Sequence, residues 1–347
     1  MKRAIVTGAT GMIGTALIKE LLRSNIEVTA IVRPDSDRAE CLAREVAKLG
    51  DVQENFHIAL LNLSDLGEDE AEVALRRTLV GERNGGVSSG EIGTADDNTA
   101  DGDICDMFFH LGWEGTFGQS RNDKELQDRN VKDTLDAVWL AYKLGASVFV
   151  GAGSQAEYGR PPEGVKLSAT TPTHPENEYG RGKLKAGIDS RAVCKALGIR
   201  HIWCRILSVY GPGDGSRTMI MSGIYSLLRG ERPKYTKGEQ MWDYMYVGDT
   251  AKAMTFLAEH GRDGGIYPLG SGTVRPLREY IEIIRDSISK DAELGMGEIE
   301  YAPGQVMYLC ADISDLRKDT GFEPTTPFED GIQKTIDWAR GQINENN

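Results

Sequence analysis

The chain has 347 residues, a formal net charge of −13 and 40% hydrophobic residues. That length suits one large α/β domain or two closely joined ones, and the acidity excludes the basic footprint that a nucleic-acid or anionic-membrane surface needs. Five cysteines (Cys41, Cys105, Cys194, Cys204 and Cys310) stand singly, without metal-ligand or Cys-x-x-Cys spacing. Together with a first strand that begins almost at Met1 and no long apolar run, they give the expectation of a cytoplasmic protein with reduced thiols, no metal and no membrane span.

The first predicted element is a short apolar strand, Ala4-Ile5-Val6, which runs through Thr7 into Gly8-Ala9-Thr10-Gly11-Met12-Ile13-Gly14 and then a helical pattern to Leu22. Glycine takes the positive φ angles of a tight turn, and its missing side chain lets backbone N–H groups approach a phosphate at the positive end of a helix. Gly8, Thr10, Gly11, Met12, Ile13 and Gly14 are therefore candidate dinucleotide contacts. A plain β-turn before a helix is the bland alternative.

A second buried strand over 28–32 ends at Arg33. An acidic side chain there would accept from the ribose of NAD, whereas an arginine would pair with the 2′-phosphate of NADP. Arg33 favours NADP(H), with NAD(H) possible and a solvated arginine as the plain reading. A third strand over 56–63 brings Asn62, and Leu63 beside it, towards the adenine. Residues 67–103 turn acidic and then Gly-, Ser-, Asn- and Thr-rich, which predicts a helix over 68–79 and a mobile surface insertion over 81–103.

The fourth strand, 104–109, delivers the next residues to the carboxyl end of a parallel sheet, where ligands bind. Leu111 and Gly112 are candidate cofactor contacts, Trp113 and Glu114 candidate substrate contacts, and His110 reads as a packing residue in preference to a base. A helix over 125–144 carries Asn130. A strand over 146–150 leads to Ser154 and Gln155, and a later helix opens at Tyr179-Gly180-Arg181-Gly182-Lys183, which puts Tyr179 and Lys183 on one face.

Hydride transfer at an alcohol carbon needs a group that gives or takes the hydroxyl proton. A free tyrosine, with a pKa of about 10, is too weak a base near neutrality; a lysine ammonium beside it favours the phenolate. Lys183 can also hold the nicotinamide ribose, and Ser154 can hydrogen-bond the carbonyl oxygen as charge develops there. Tyr-x-x-x-Lys alone is usually a surface pair. Its weight here comes from order: glycine turn, serine at a strand end, then Tyr-x-x-x-Lys opening the next helix.

In that order the motifs resemble the extended short-chain dehydrogenase/reductase family, the nucleotide-sugar epimerases, dehydratases and 4-ketoreductases. The similarity continues through Phe109 to Gly112, Asn130-Val131, Ser154 to Gly159, Arg205 to Asp214, Tyr244 to Asp249, Gly321 to Pro324 and Phe328 to Ile332, nearly the full length apart from the acidic insertion. The resemblance implies an α/β fold with a Rossmann-type doubly wound parallel sheet over 1–207 and 243–260. A smaller interleaved substrate-binding domain is implied over 208–242 and 261–347. The same resemblance implies Tyr179 as acid/base with Lys183 as its partner, Ser154 as carbonyl donor, Asn130 as a structural or proton-relay residue, and a homodimer built from helices 125–144 and 179–197.

Sugar-nucleotide 4,6-dehydratases of this kind carry an Asp-Glu pair where Gln155 and Ala156 stand, so elimination of water is not expected. Many relatives grip the substrate diphosphate with an asparagine and two arginines at the places of Ser208, Trp242 and Ala302. Arg217, Arg229, Lys234 or Arg275 could substitute; otherwise the substrate is not a nucleotide sugar. The expected activity is NAD(P)-dependent reduction of a 4-keto nucleotide-linked sugar. An NAD-dependent epimerase, a ketoreductase of a non-nucleotide carbonyl and an idle nucleotide sensor are the alternatives.

Overall fold

Alternation along the first strand sets the architecture. In β1 (Arg3–Thr7) Ala4 and Val6 enter one buried cluster and Ile5 another, because successive strand side chains point to opposite faces. The same split recurs at Met107 and Phe109 against Phe108, and at Val148 and Val150 against Phe149. Both faces of the sheet are therefore covered, as a parallel sheet requires.

A computed structural model describes residues 2–81 and 102–345; nearly all of the insertion expected over 81–103 lies outside them. After β1 come α1 (Met12–Arg23), β2 (Glu27–Val32), α2 (Ala39–Ala47), β3 (Phe56–Leu60), α3 (Asp69–Gly81), β4 (Met107–His110), α4 (Lys124–Lys143), β5 (Val148–Ser154), α5 (Glu178–Leu197) and β6 (Arg200–Ile206). There follow β7 (Ser208–Tyr210), α6 (Met219–Leu228), β8 (Lys234–Tyr235), β9 (Met241–Trp242), β10 (Tyr244–Tyr246), α7 (Val247–His260) and β11 (Gly265–Leu269). The chain ends with β12 (Arg275–Pro276), α8 (Leu277–Ile288), β13 (Gly295–Met296), β14 (Tyr308–Leu309), α9 (Ser314–Thr320) and α10 (Phe328–Glu345).

Seven of these strands form one parallel sheet in the order β11-β6-β5-β4-β1-β2-β3. The order reverses at β1, which lies between β2 and β4, so a crevice opens at the carboxyl ends of β1 and β4. Apolar faces of α1 and α7 cover one side, and those of α3 and α4 the other. This is the doubly wound α/β fold that the motifs imply.

Two boundaries differ from expectation. β11 falls in the stretch assigned to the substrate-binding part, yet it pairs with β6 as the seventh strand. Leu309 to Phe322 also contribute to the core on the α1 side. The separate second cluster is built by Tyr210, Ile224, Tyr280, Phe328 and Ile332, with the Tyr280 and Phe328 rings 4.6 Å apart. It sits beyond the carboxyl ends of the sheet and forms the far wall of the crevice.

Candidate active site

The crevice is a cleft of about 1440 Å³, larger than the roughly 300–1,000 Å³ of an ordinary ligand pocket. Gly8, Thr10, Gly11, Met12, Ile13 and Gly14 form its floor. Gly8 has φ +66°, and a Cβ there would lie 2.7 Å from the Gly112 nitrogen. A Cβ on Gly14 would overlap the Gly8 carbonyl oxygen, whereas Gly11 is held only by its turn. Gly11 caps α1 without any side-chain hydrogen bond, and the first turn carries no acidic residue. The orphan N–H groups of that turn therefore face the cleft with the positive end of the helix dipole, a cradle that fits a dinucleotide phosphate.

Ser154, Tyr179 and Lys183 all line this cleft. Asn177 caps α5 through a bond from the Gly180 N–H at 2.8 Å, which fixes the first turn and with it Tyr179 and Lys183. Lys183 is 4% exposed and donates to the Ala152 carbonyl at 2.7 Å, with its ammonium 3.8 Å from the Trp113 ring centre. Burial pushes its pKa down to about 7, against a smaller upward pull from Glu157. Burial raises the Tyr179 phenol, opposed by the Ser154 hydroxyl and by Arg121. In the free protein the phenol is thus protonated near neutrality. The Lys183 ammonium is turned to Ala152 and Trp113.

Ser154 ends β5 and caps a short turn in which its hydroxyl accepts from Ala156 N–H at 3.2 Å. Glu157, fully buried, closes the same turn by accepting from Ser154 N–H at 2.8 Å. Its carboxylate also takes the Trp203 indole N–H at 3.0 Å and the Arg205 guanidinium at 2.7 Å. The serine is therefore held from beneath by a buried ion pair. Glu157 was not among the candidates, although Ser-x-x-Glu is a capping-box spacing.

Several candidates take other positions. Asn130 lines no part of the cleft; its amide accepts from Glu114 N–H at 2.9 Å and donates to Glu114 C=O at 3.0 Å. It clamps the loop that presents Trp113, helped by Gln127, whose amide oxygen accepts the Trp113 indole N–H at 2.8 Å. The Glu114 side chain is exposed and does not line the cleft. Asn62 does not line the cleft, and its amide donates to Asp65 at 2.9 Å. Leu63 packs against Gly112 and does not line the cleft. Arg33 is exposed at the end of β2 outside the lining, where Arg38 takes part instead. Leu111, Gly112, Trp113, Gln155 and Ser208 do line the cleft. His110 is wedged between Thr7 at 3.0 Å and Thr134 at 3.3 Å, with its pKa pushed down to about 3 by burial; it is a neutral packing residue.

The substrate end has no free clamp at the expected places. Ser208 accepts the Trp242 indole N–H at 2.9 Å, so these two residues satisfy each other. Arg217 is exposed and outside the lining, because its neighbours Ser216 and Thr218 face the cleft. Arg275 is paired with Glu329 at 2.6 Å, and Lys234 lies 3.6 Å from Glu298. Arg121, which no motif singles out, instead lies with its guanidinium 4.3 Å from the Tyr179 ring centre.

Residues 4–270 match the model of the NAD dependent epimerase/dehydratase family. The chain belongs to that family. It is 28% identical over 199 residues to a dTDP-glucose 4,6-dehydratase of Xanthomonas campestris pv. campestris, an alignment covering 55% of this chain and 57% of that one. The chain thus spans little over half the length of that relative. A dTDP-glucose 4,6-dehydratase of Neisseria meningitidis serogroup B is 22% identical over 97% of this chain and 93% of its own. Among solved structures, a UDP-N-acetylglucosamine 4-epimerase from Methanobrevibacter ruminantium M1, in complex with UDP-N-acetylmuramic acid, superposes with a TM-score of 0.78 at 23% identity, covering 98% of this chain and 99% of that one. The dTDP-glucose 4,6-dehydratase of Bacillus anthracis in complex with NAD gives 0.76 at 19% identity, covering 99% and 98%. The resemblance read from the motifs is borne out at the level of family and fold. Within this epimerase/dehydratase fold, no described helix is long and apolar enough to cross a membrane.

Proposed function

We propose that the chain is a nicotinamide-dependent oxidoreductase that reduces a ketone at C4 of a nucleotide-linked sugar, with Tyr179 giving the proton. One observation carries this reading: a buried, protonated phenol and the Ser154 hydroxyl share one point of the cleft, beside the uncapped α1 terminus. When bound there, the nicotinamide supplies the hydride. Ser154 hydrogen-bonds the carbonyl oxygen as negative charge builds, and Tyr179 passes its proton to that oxygen. Lys183, once drawn from Ala152 to a ribose hydroxyl, stabilises the phenolate left behind.

Dehydration is disfavoured because Gln155 and Ala156 follow Ser154, and neither side chain can exchange a proton as a carboxyl group would. Relatives solved with NAD support NAD(H) as a cofactor; Arg33, with Arg38 on the cleft wall, supports a preference for NADP(H). An NAD-dependent epimerase is the second reading, favoured by the epimerase folds with which the chain superposes. We also propose a homodimer formed through α4 and α5, which pack together and leave Trp139, Tyr142 and Ile188 exposed.

A spectrophotometric screen of 4-keto nucleotide sugars against NADPH and NADH oxidation tests the reaction. Turnover that falls by about 10²–10⁴ in Tyr179→Phe is the expected result for loss of a general acid, and parental turnover in that variant would remove Tyr179 from the mechanism. Sedimentation as a monomer at micromolar concentration would rule out the dimer.

A further inference from the structure

A side pocket of about 270 Å³ opens beside Ser154 and Tyr179, walled by Arg121, Gln155, Arg160, Glu176, Asn177 and Trp242. Its charges do not balance. The Arg160 guanidinium meets the Glu176 carboxylate at 2.9 Å, which leaves Arg121. Half-buried Arg121 donates only to the Thr116 carbonyl at 3.1 Å and rests on the face of Tyr179; it pairs with no carboxylate among the described residues. A guanidinium in a recess has a planar fork of donors that matches a carboxylate or phosphate, and most of that fork is unspent. On the same wall the Gln155 amide oxygen is buried without a hydrogen-bond partner, an acceptor suited to a sugar hydroxyl. Of the places at which the resemblance implies arginines, one holds Trp242, whose indole N–H is bonded to Ser208, and the other holds Ala302.

We infer that Arg121 binds an oxyanion, a carboxylate or phosphate carried by the sugar itself close to its reacting carbon. The substrate class is then an acidic keto sugar. This rests on the proposed reduction of a sugar ketone, and it deepens that reading by moving the anion site from a nucleotide clamp to the neighbourhood of Tyr179. Arg121 is a substrate-binding residue in this scheme, and its contact with the phenol ring keeps it in place until the acid arrives.

Isothermal titration calorimetry of the full chain, with and without NADH, tests this using UDP-glucose, UDP-glucuronic acid, free glucuronate and glucose 6-phosphate. UDP-glucuronic acid is expected to bind at least about tenfold more tightly than UDP-glucose, as one charge-assisted pair would give. Arg121→Gln should erase that preference and Arg121→Lys should keep part of it, with near-UV circular dichroism confirming the fold of both. Equal binding of the two UDP-sugars overturns the inference and leaves the nucleotide-sugar reading standing. Binding of a free acid alone, lost in Arg121→Gln, supports the inference while overturning the nucleotide; whether glucuronate or glucose 6-phosphate binds separates carboxylate from phosphate. If no acid binds, or Arg121→Gln binds each as the parent does, Arg121 is not an anion site.

Discussion

Replacing Lys183 by methionine should stabilise the nucleotide-free protein at low pH and do so less and less as the pH rises. Burial holds the ammonium at about 7 against an ordinary value of 10.5. Between those values the unfolded chain keeps a proton that the folded chain has shed, so stability rises with pH across this window; below 7 both states are charged and the full penalty stands. At 1.36 kcal/mol per unit, that penalty is about 5 kcal/mol at pH 6 and about 1 kcal/mol at pH 9.5. His110, beneath the lysine, stays neutral throughout because its own value is about 3. Methionine removes the titration but also the bond to Ala152, a loss of about 1 kcal/mol that does not vary with pH. Urea unfolding followed by circular dichroism at pH 6, 7, 8 and 9.5 should therefore show two curves that converge by about 3 kcal/mol, with the variant ahead at pH 6. Curves that run parallel over this range would refute a depressed lysine and leave the site without a strained ammonium to hand to a ribose.

Three other outcomes follow from the geometry. Gly14→Ala should cost about 1–3 kcal/mol in urea unfolding, since the added Cβ meets the Gly8 backbone. Gly11→Ala, whose Cβ has only the Gly8 oxygen at 3.3 Å nearby, should cost much less, and similar losses in both would remove the tight-turn account. Glu157→Gln strips the buried Arg205 of its counter-charge and should cost about 3–5 kcal/mol in the same assay; a neutral result would mean that water already reaches this pair. The double change Arg33→Ala, Arg38→Ala should lower NADPH affinity by about tenfold with NADH affinity unchanged, read by fluorescence titration, and an equal loss for both nucleotides would place neither arginine at a 2′-phosphate.

The parts of this molecule that were legible in sequence are those whose physics is local. The glycine turn and α1 are contiguous, so φ preference, missing side chains and helical period all act within one unbroken stretch from Gly8 to Arg23. Tyr179 and Lys183 are one helical turn apart, and the turn fixes their common face. β11 was missed as a sheet strand because Pro268 interrupts it, and proline is tolerated in a strand only where an N–H is not required; β11 is the sheet's edge, where that condition holds. The bond from the Asn62 amide to Asp65 spans only three residues, a local side-chain contact of the kind that competes with binding a ligand.

What sequence could not carry is pairing across the fold. Trp242 reaches Ser208, and Arg121 reaches Tyr179, over gaps with no periodic signature. These two contacts decide where charge lies at the substrate end. A tryptophan bonded to a serine offers a diphosphate no cation, whereas an unpaired guanidinium against the phenol places the one unmatched positive charge of the side pocket beside Tyr179. Electrostatic attraction falls off with distance and with solvent screening, so the half-buried guanidinium acts on an anion in that pocket more strongly than the exposed Arg217 can. On the proposed assignment, substrate charge is set by the tertiary contact of Arg121 with Tyr179, and a chain that kept every motif but lost Arg121 would change the sugar it accepts.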